Sequence, residues 1–374
     1  MSQLRSHHRS PSARRRAVAG LTLVELLVAM TIGLVLIAGA TQVYVDSHAA
    51  YAVNETTARL QENARYALSV LEPDIRMSGY WGLTNVSDGI GGKALPTDPQ
   101  LALGGAGAAT CGVNLPLLLG FPVQGTNASY AATCAAGNGG DVTSAAMPNA
   151  DTITVRRASG VTVPATSADG PLRICSTRTS GVLVTVISTS TFCQDVNAQI
   201  NNLIVNLYYV DQSSSQAGVP SLRRKALNFG PGPGFAPLFQ DDEIVPGVED
   251  LQVQYGVDLS GGAGAASGAA TEYLNAGATL TNLLTNAAAP AQIVAVRIWL
   301  LVRSDAPEAG FTDDHTYEYG DRLLPGTTGD LTSVADSTKA YQPSLSADNS
   351  FTGVKHYRHL LVSKTIQIRN ALGR

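Results

Sequence analysis

Residues 21–45, LTLVELLVAMTIGLVLIAGATQVYV, form an apolar run whose one charged side chain is Glu25. As a helix rising about 1.5 Å per residue, the run is roughly 37 Å long, enough to cross a hydrocarbon core of about 30 Å with some tilt. Arg5, Arg9, Arg14, Arg15 and Arg16 precede it, with no acid among them. The positive-inside rule therefore keeps residues 1–20 in the cytoplasm and sends the rest of the chain across. A secretory signal peptide has an apolar region of only about 7–15 residues ahead of a small-residue cleavage site. This run is too long for one, although Ala38-Gly39-Ala40 imitates such a site. A plain membrane anchor leaves Glu25 unexplained, because an acid at depth in lipid costs on the order of 3 kcal/mol and such residues have partners.

The helical pattern does not stop at residue 45. No good breaker occurs before Pro73, and Val53, Thr57, Leu60, Ala64, Ala67, Leu68, Leu71 and Ile75 recur at steps of three and four. That spacing marks one face of an amphipathic helix, with Glu55, Arg59, Glu62 and Asn63 on the other. One helix from Leu21 to Met77 follows, roughly 85 Å long at 1.5 Å per residue. Pro73 kinks it or ends its regular part, and SGYWG at 78–82 reads as a stop.

From Gly79 onward, Gly, Pro, Ser, Thr and Asn punctuate short alternating runs, the pattern of strands and loops. Strands are expected over 151–159, 180–188, 202–212, 221–227, 248–259, 291–304 and 364–370, with 202–212 and 221–227 forming a hairpin. In the run 291–304, Val294, Val296, Ile298, Leu300 and Val302 share one face, and Arg297, Trp299 and Arg303 the other. The helix must lay its apolar stripe on one face of this sheet, which gives an α+β fold. Three segments result: 1–20, a basic leader; 21–78, the long helix; and 79–374, a β-rich body with long loops, among them 89–109, 260–270 and 305–350.

The body is acidic. Without the five leader arginines the chain holds 20 basic and 29 acidic residues, a formal −9, which argues against a nucleic-acid partner. Cys111, Cys134, Cys175 and Cys193 form no CxxC. Outside the cytoplasm, an even count points to two disulfides. Sequential pairing closes the smallest loops, and all three connectivities remain open.

Gly20 and the segment after it, LTLVELLVAM, resemble the processing site of a type IV prepilin: a basic leader, a glycine, then an apolar helix with glutamate at its fifth residue. Leu21 departs from the family's usual phenylalanine but keeps an apolar residue. The resemblance implies that a membrane-embedded prepilin peptidase cuts after Gly20 and methylates the new N-terminus at Leu21. The cationic amine so created lies four residues, about one helical turn, from Glu25. In a bundle of subunits, the Glu25 carboxylate of one chain meets the Leu21 amine of the next, and low dielectric strengthens the pair. Further phrases, QENARYALSVLEPDIRMSGYWG (61–82), PGVEDLQVQYGVD (246–258), AQIVAVRIWLLVRS (291–304) and IQIRNALGR (366–374), together resemble the PilW family of minor pilins. That resemblance implies a pilin-like fold and a role in starting pilus assembly at the inner membrane. It also implies a place at the fibre tip, with other minor pilins, the major pilin and a PilY-type adhesin as partners.

No residue pattern points to catalysis or to a cofactor. His356 and His359 stand at i, i+3 with no acid beside them in sequence, and read as a satisfied or exposed pair rather than metal ligands. The acidic segments 313–321 and 240–247 lack EF-hand spacing and read as solvated loops rather than calcium sites. GPGPGF at 230–235 lacks the Lys-Ser/Thr of a phosphate loop. Two other readings of the N-terminus remain open: a pseudopilin of a type II secretion system, and an uncleaved anchor carrying a binding or enzymatic domain.

Overall fold

Helix α1 spans Leu23–Arg76 in the computed structural model, which describes residues 22–94, 115–130, 146–229, 237–260, 267–286, 291–308, 310–322 and 354–371. The chain divides into two units between Glu55 and Thr56, inside this helix. In the first unit apolar side chains are exposed all round the helix, Leu23 at 78% and Leu34 at 72% among them. That stretch is long and apolar enough to cross a membrane.

In the second unit α1 becomes one-sided. Leu60, Ala64, Ala67, Leu71 and Ile75 are buried at spacings of four, three, four and four. Each large apolar side chain so placed stabilises by about 1.5–3 kcal/mol. The buried stripe begins at Leu60, later than the spacing suggests, since Thr57 is exposed. Pro73 lies within the last turn and does not end the helix. The chain then leaves through SGYWG, where Gly79 and Gly82 take positive φ. A Cβ on Gly82 would come within 2.3 Å of Ser176 Oγ, so only glycine fits there.

Twelve strands follow in the described residues: β1 (Ile90–Gly91), β2 (Val123–Thr126), β3 (Thr152–Thr162), β4 (Arg173–Ser176), β5 (Gly181–Val184), β6 (Gln199–Asp211), β7 (Ser221–Phe229), β8 (Pro237–Pro246), β9 (Val248–Asp258), β10 (Glu272–Asn275), β11 (Gln292–Arg303) and β12 (His359–Gln367). A short helix, α2 (Ala278–Leu284), precedes β11. They make two sheets rather than the single one expected. The larger is built on β6: β3 pairs along one of its edges, while β4 pairs with residues 199–202 and β7 with residues 206–211. The smaller sheet runs β10-β9-β11-β12, wholly antiparallel. Helix α1 joins both in one apolar cluster, which includes Leu71 and Ile75, Ile153 and Tyr208 of the larger sheet, and Leu251, Val253, Ile298 and Leu300 of the smaller.

The sequence-read strands exist, with shifted ends. The run 180–188 is extended only to Val184, because the Asp169 carboxylate accepts from the Ile187 and Ser188 amides and turns the chain. The last strand starts earlier, at His359, and ends when Ile368 and Arg369 donate to Val294 and Arg76 instead. The segment 240–247 is a correction: it lies mostly in β8 and is not a loop. Its acids face the basic run of β7, in register Arg223 with Glu243, Arg224 with Asp242 and Lys225 with Asp241. The Lys225–Asp241 pair closes to 2.7 Å. Opposite charges directly across a strand pair favour that register.

Cys175 on β4 is bonded to Cys193, with their Cα atoms 5.3 Å apart. Closing a loop of that size contributes roughly 3 kcal/mol by restricting the unfolded chain. Cys111 and Cys134 lie outside the described residues.

Candidate functional site

The N-terminal end of α1 is tied by its own side chains. Thr22 stands just before the helix and Glu25 on its first turn. Glu25 Oε2 accepts from the Thr22 amide and hydroxyl, each at 3.1 Å, while the Glu25 amide donates back to Thr22 Oγ1 at 3.2 Å. This reciprocal pattern is a capping box, which satisfies amides that an α-helix leaves without carbonyl partners. A carboxylate there also faces the positive end of the helix dipole. The Thr-x-x-Glu spacing was available in the sequence, but the apolar run drew the reading toward depth in lipid and away from the cap. Gly20 and Leu21 lie outside the described residues.

At its other end α1 is fixed by one buried acid. Asp74, 5% exposed, accepts from Tyr208 Oη at 2.6 Å, from Asn206 Nδ2 and from Arg157 Nε at 2.8 Å. Those partners sit on β3 and β6. Burial, with the Asp74 charge beside it, pushes the Tyr208 hydroxyl far above its ordinary pKa, so it stays a donor. The adjoining turn is braced from the far side, where the Arg369 amide donates to the Arg76 carbonyl and Asn370 Nδ2 to Ser78 O at 3.5 Å. Two stretches read as separate phrases, DIRMSGYWG and IQIRNAL, therefore meet here.

Two matches to known families fall on this framework. A model of the prokaryotic N-terminal methylation motif matches residues 15–41, and one of the type IV pilus-assembly protein W matches residues 207–370. Residues 207–370 of the chain thus match the PilW family, behind a prepilin-type methylation motif. The PilW match takes in β7 to β12, the whole smaller sheet and the terminal phrase at the helix junction. It starts inside β6, so β1 to β5 precede it. Among solved structures, a type IV-like pilin from Thermus thermophilus aligns at 14% identity over 60% of this chain and 80% of its own, with a TM-score of 0.26. No curated protein matches.

His356 and His359 both meet hydrogen-bonding partners. His356 Nδ1 meets the Phe311 carbonyl at 2.7 Å. The side chain of His359 is fully buried between two acids distant in sequence: Nδ1 lies 2.8 Å from Asp313 and Nε2 3.0 Å from Glu249. With a carboxylate at each nitrogen the ring carries both protons and has no lone pair for a metal. Among the described residues no cluster of His, Cys, Asp and Glu could hold a metal ion. The segment 313–321 is also corrected, since its first acid is drawn inward. Asp313 is 1% exposed and accepts from Tyr317 Oη at 3.0 Å as well as facing His359.

This cluster predicts a pH dependence. Burial alone would lower the His359 pKa, but hydrogen bonds and charge from Asp313 and Glu249 outweigh it and hold the ring above its ordinary 6.5. Burial likewise opposes ionisation of Asp313, and its bonds from His359, His315 and Tyr317 outweigh that and hold it below 3.8. A raised histidine stabilises fully below 6.5 and loses that stabilisation as pH climbs through its folded value. A depressed acid stabilises above 3.8 and loses it as pH falls. Thermal unfolding of the full chain in detergent micelles should therefore peak between these limits and decline on the alkaline side. His359→Gln should flatten that decline; an unchanged alkaline slope would remove His359 as its cause.

Proposed function

We propose that the protein is a minor pilin acting in the initiation of type IV pilus assembly. Its leader, residues 1–20, stays in the cytoplasm and residues 79–374 face the periplasm. Prepilin peptidase removes the leader after Gly20 and methylates Leu21. The subunit then leaves the inner membrane through α1 and joins other minor pilins and the major pilin, with a PilY-type adhesin at the fibre tip. The observation that carries this reading is the order of two matches on one chain: a methylation motif heading an exposed apolar helix, and a PilW domain behind it.

Glu25 serves twice in this scheme. Its Oε2 holds the first turn of its own helix, and Oε1 is turned to the Leu21 amine of a neighbouring subunit. Both charges are costly in lipid alone and favourable together, so the pair drives insertion and sets the axial register between subunits.

Intact-mass measurement of the protein from its native membrane tests the first step. A mature chain beginning at methylated Leu21 is expected, and an uncut chain would leave only a membrane anchor. Deletion should abolish twitching motility and spare protein secretion; the opposite outcome would assign the chain to a type II secretion system.

A further inference from the structure

A polar, open cleft of about 460 Å³ lies where the end of α1 meets the residues after β12. Arg76 and Arg369 both line it, with Gly268, Val294, Ile368 and Ala371 among its walls. The Arg369 amide donates to the Arg76 carbonyl at 3.0 Å, which sets the two residues side by side although they come from opposite ends of the body.

The two guanidinium groups differ in what they already hold. Arg76 donates to Glu72, and Lys364 donates to the same carboxylate, so one acid is shared between two cations. Arg369 is exposed, and its side chain makes no ion pair or hydrogen bond among the described residues. Asp74, half a turn before Arg76, is spent on Arg157. One further acid stands behind the cleft wall: Asp258 accepts from the Gly268 amide at 2.7 Å, and Ser260 and Ser267 also donate to it. Those bonds favour its anion and occupy its oxygens. Three cations (Arg76, Lys364, Arg369) less two acids (Glu72, Asp258) leave a formal excess of +1 here, in a chain that is acidic elsewhere.

One negative charge balances that excess. A phosphate monoester carries nearly two at neutral pH. The cleft also lies at the C-terminal end of α1, where the helix dipole is negative and opposes a dianion more than a monoanion. A carboxylate carries one charge, and its two oxygens match the parallel N–H groups of an arginine fork. Val294, Ile368 and Ala371 supply apolar surface for the groups that flank such a carboxylate. The volume of about 460 Å³ lies within the range of sites that enclose a ligand of several groups, enough for an acidic side chain and the backbone on either side of it.

We infer that this cleft binds an acidic residue, Asp or Glu, on a peptide segment of a partner protein, with Arg369 as the fork that takes the carboxylate and Arg76 as the second cation beside it. Every group involved lies in the second unit, so the contact does not depend on processing at Gly20 or on the membrane half of α1.

Titration of the isotopically labelled full chain in micelles of uncharged detergent tests this. The probe is acetyl-Ala-Glu-Ala-amide, read on the backbone amides of Val294, Ile368 and Arg369. Those resonances should shift and saturate. The probe with glutamine in place of glutamate should bind at least roughly tenfold more weakly, the loss of a charge-assisted bond. Arg369→Gln should erase that difference and leave the fold intact, and Arg369→Lys, which keeps the charge without the fork, should restore part of it. Arg178→Gln, at an exposed arginine between β4 and β5, should change nothing. Propionate at matched ionic strength should bind more weakly than the peptide, and inorganic phosphate more weakly still. Amides that do not shift, glutamate and glutamine probes of equal affinity, or an equal loss on Arg178→Gln would overturn the inference. So would propionate binding as tightly as the peptide, which leaves a site for small carboxylates, or phosphate binding more tightly, which leaves a phosphate site.

Discussion

Asp74→Ala should destabilise the body by about 3–5 kcal/mol, the range for removing one partner of a buried ion pair. Three groups converge on that carboxylate, and after its loss none has another acceptor of the same charge among the described residues. The Arg157 guanidinium, 21% exposed and 2.7 Å from the acid, becomes a cation without compensation. The Tyr208 hydroxyl, one of the largest fully buried side chains, keeps a donor with nothing to receive it. Asp74→Asn should be nearly as costly despite its shape, since an amide nitrogen would oppose at least one of these donors. Denaturant unfolding of the full chain in micelles, followed by tryptophan fluorescence, measures this directly because Trp81 is buried beyond the same turn. A loss under about 1 kcal/mol, the scale of a surface pair, would show that Asp74 does not fix the helix to the sheets.

Glu25→Gln is the second large effect. Glutamine retains the capping geometry, because its carbonyl oxygen can accept from Thr22 as the carboxylate does. The helix start should therefore survive, and processing at Gly20 should proceed. What glutamine lacks is charge. On the proposed function, the neighbouring amine then stays unpaired in lipid, at a cost of several kcal/mol. Incorporation into pili should fall by at least about a hundredfold, at 1.4 kcal/mol per factor of ten. Immunoblotting of sheared pili against the membrane fraction gives the ratio. Thr22→Val is the counterpart: it removes the cap hydroxyl and keeps the charge, so it should cost only about 1 kcal/mol of helix stability. If the glutamine variant assembles normally while the valine variant does not, Glu25 acts only as a cap.

Much of this was legible in the residues. The period of 3.6 through Leu60, Ala64, Ala67, Leu71 and Ile75 announced the buried face of α1, and strict alternation announced β11. At the N-terminus Glu25 stands out in the sequence because a lone acid in an apolar run has few physical explanations. The second sheet was not readable. Periodicity marks which face of a strand is buried and leaves open which sheet the strand joins, and β9 is buried along its whole length. The β7–β8 pair was hidden because Asp241, Asp242 and Glu243 look like a solvated loop until the basic run opposite them is placed. The two acids around His359 lie 46 and 110 residues from it in sequence, beyond the reach of any local spacing.

Strand β6 has a consequence for how the nascent chain matures. Before it is made, the preceding strands can form only two small isolated pieces, β2 with β3, and β4 with β5 and the two-residue β1. Each leaves a raw edge, and such edges invite aggregation. Synthesis of residues 199–211 closes both at once, so a pause or truncation just upstream of residue 199 exposes the chain at its most vulnerable point.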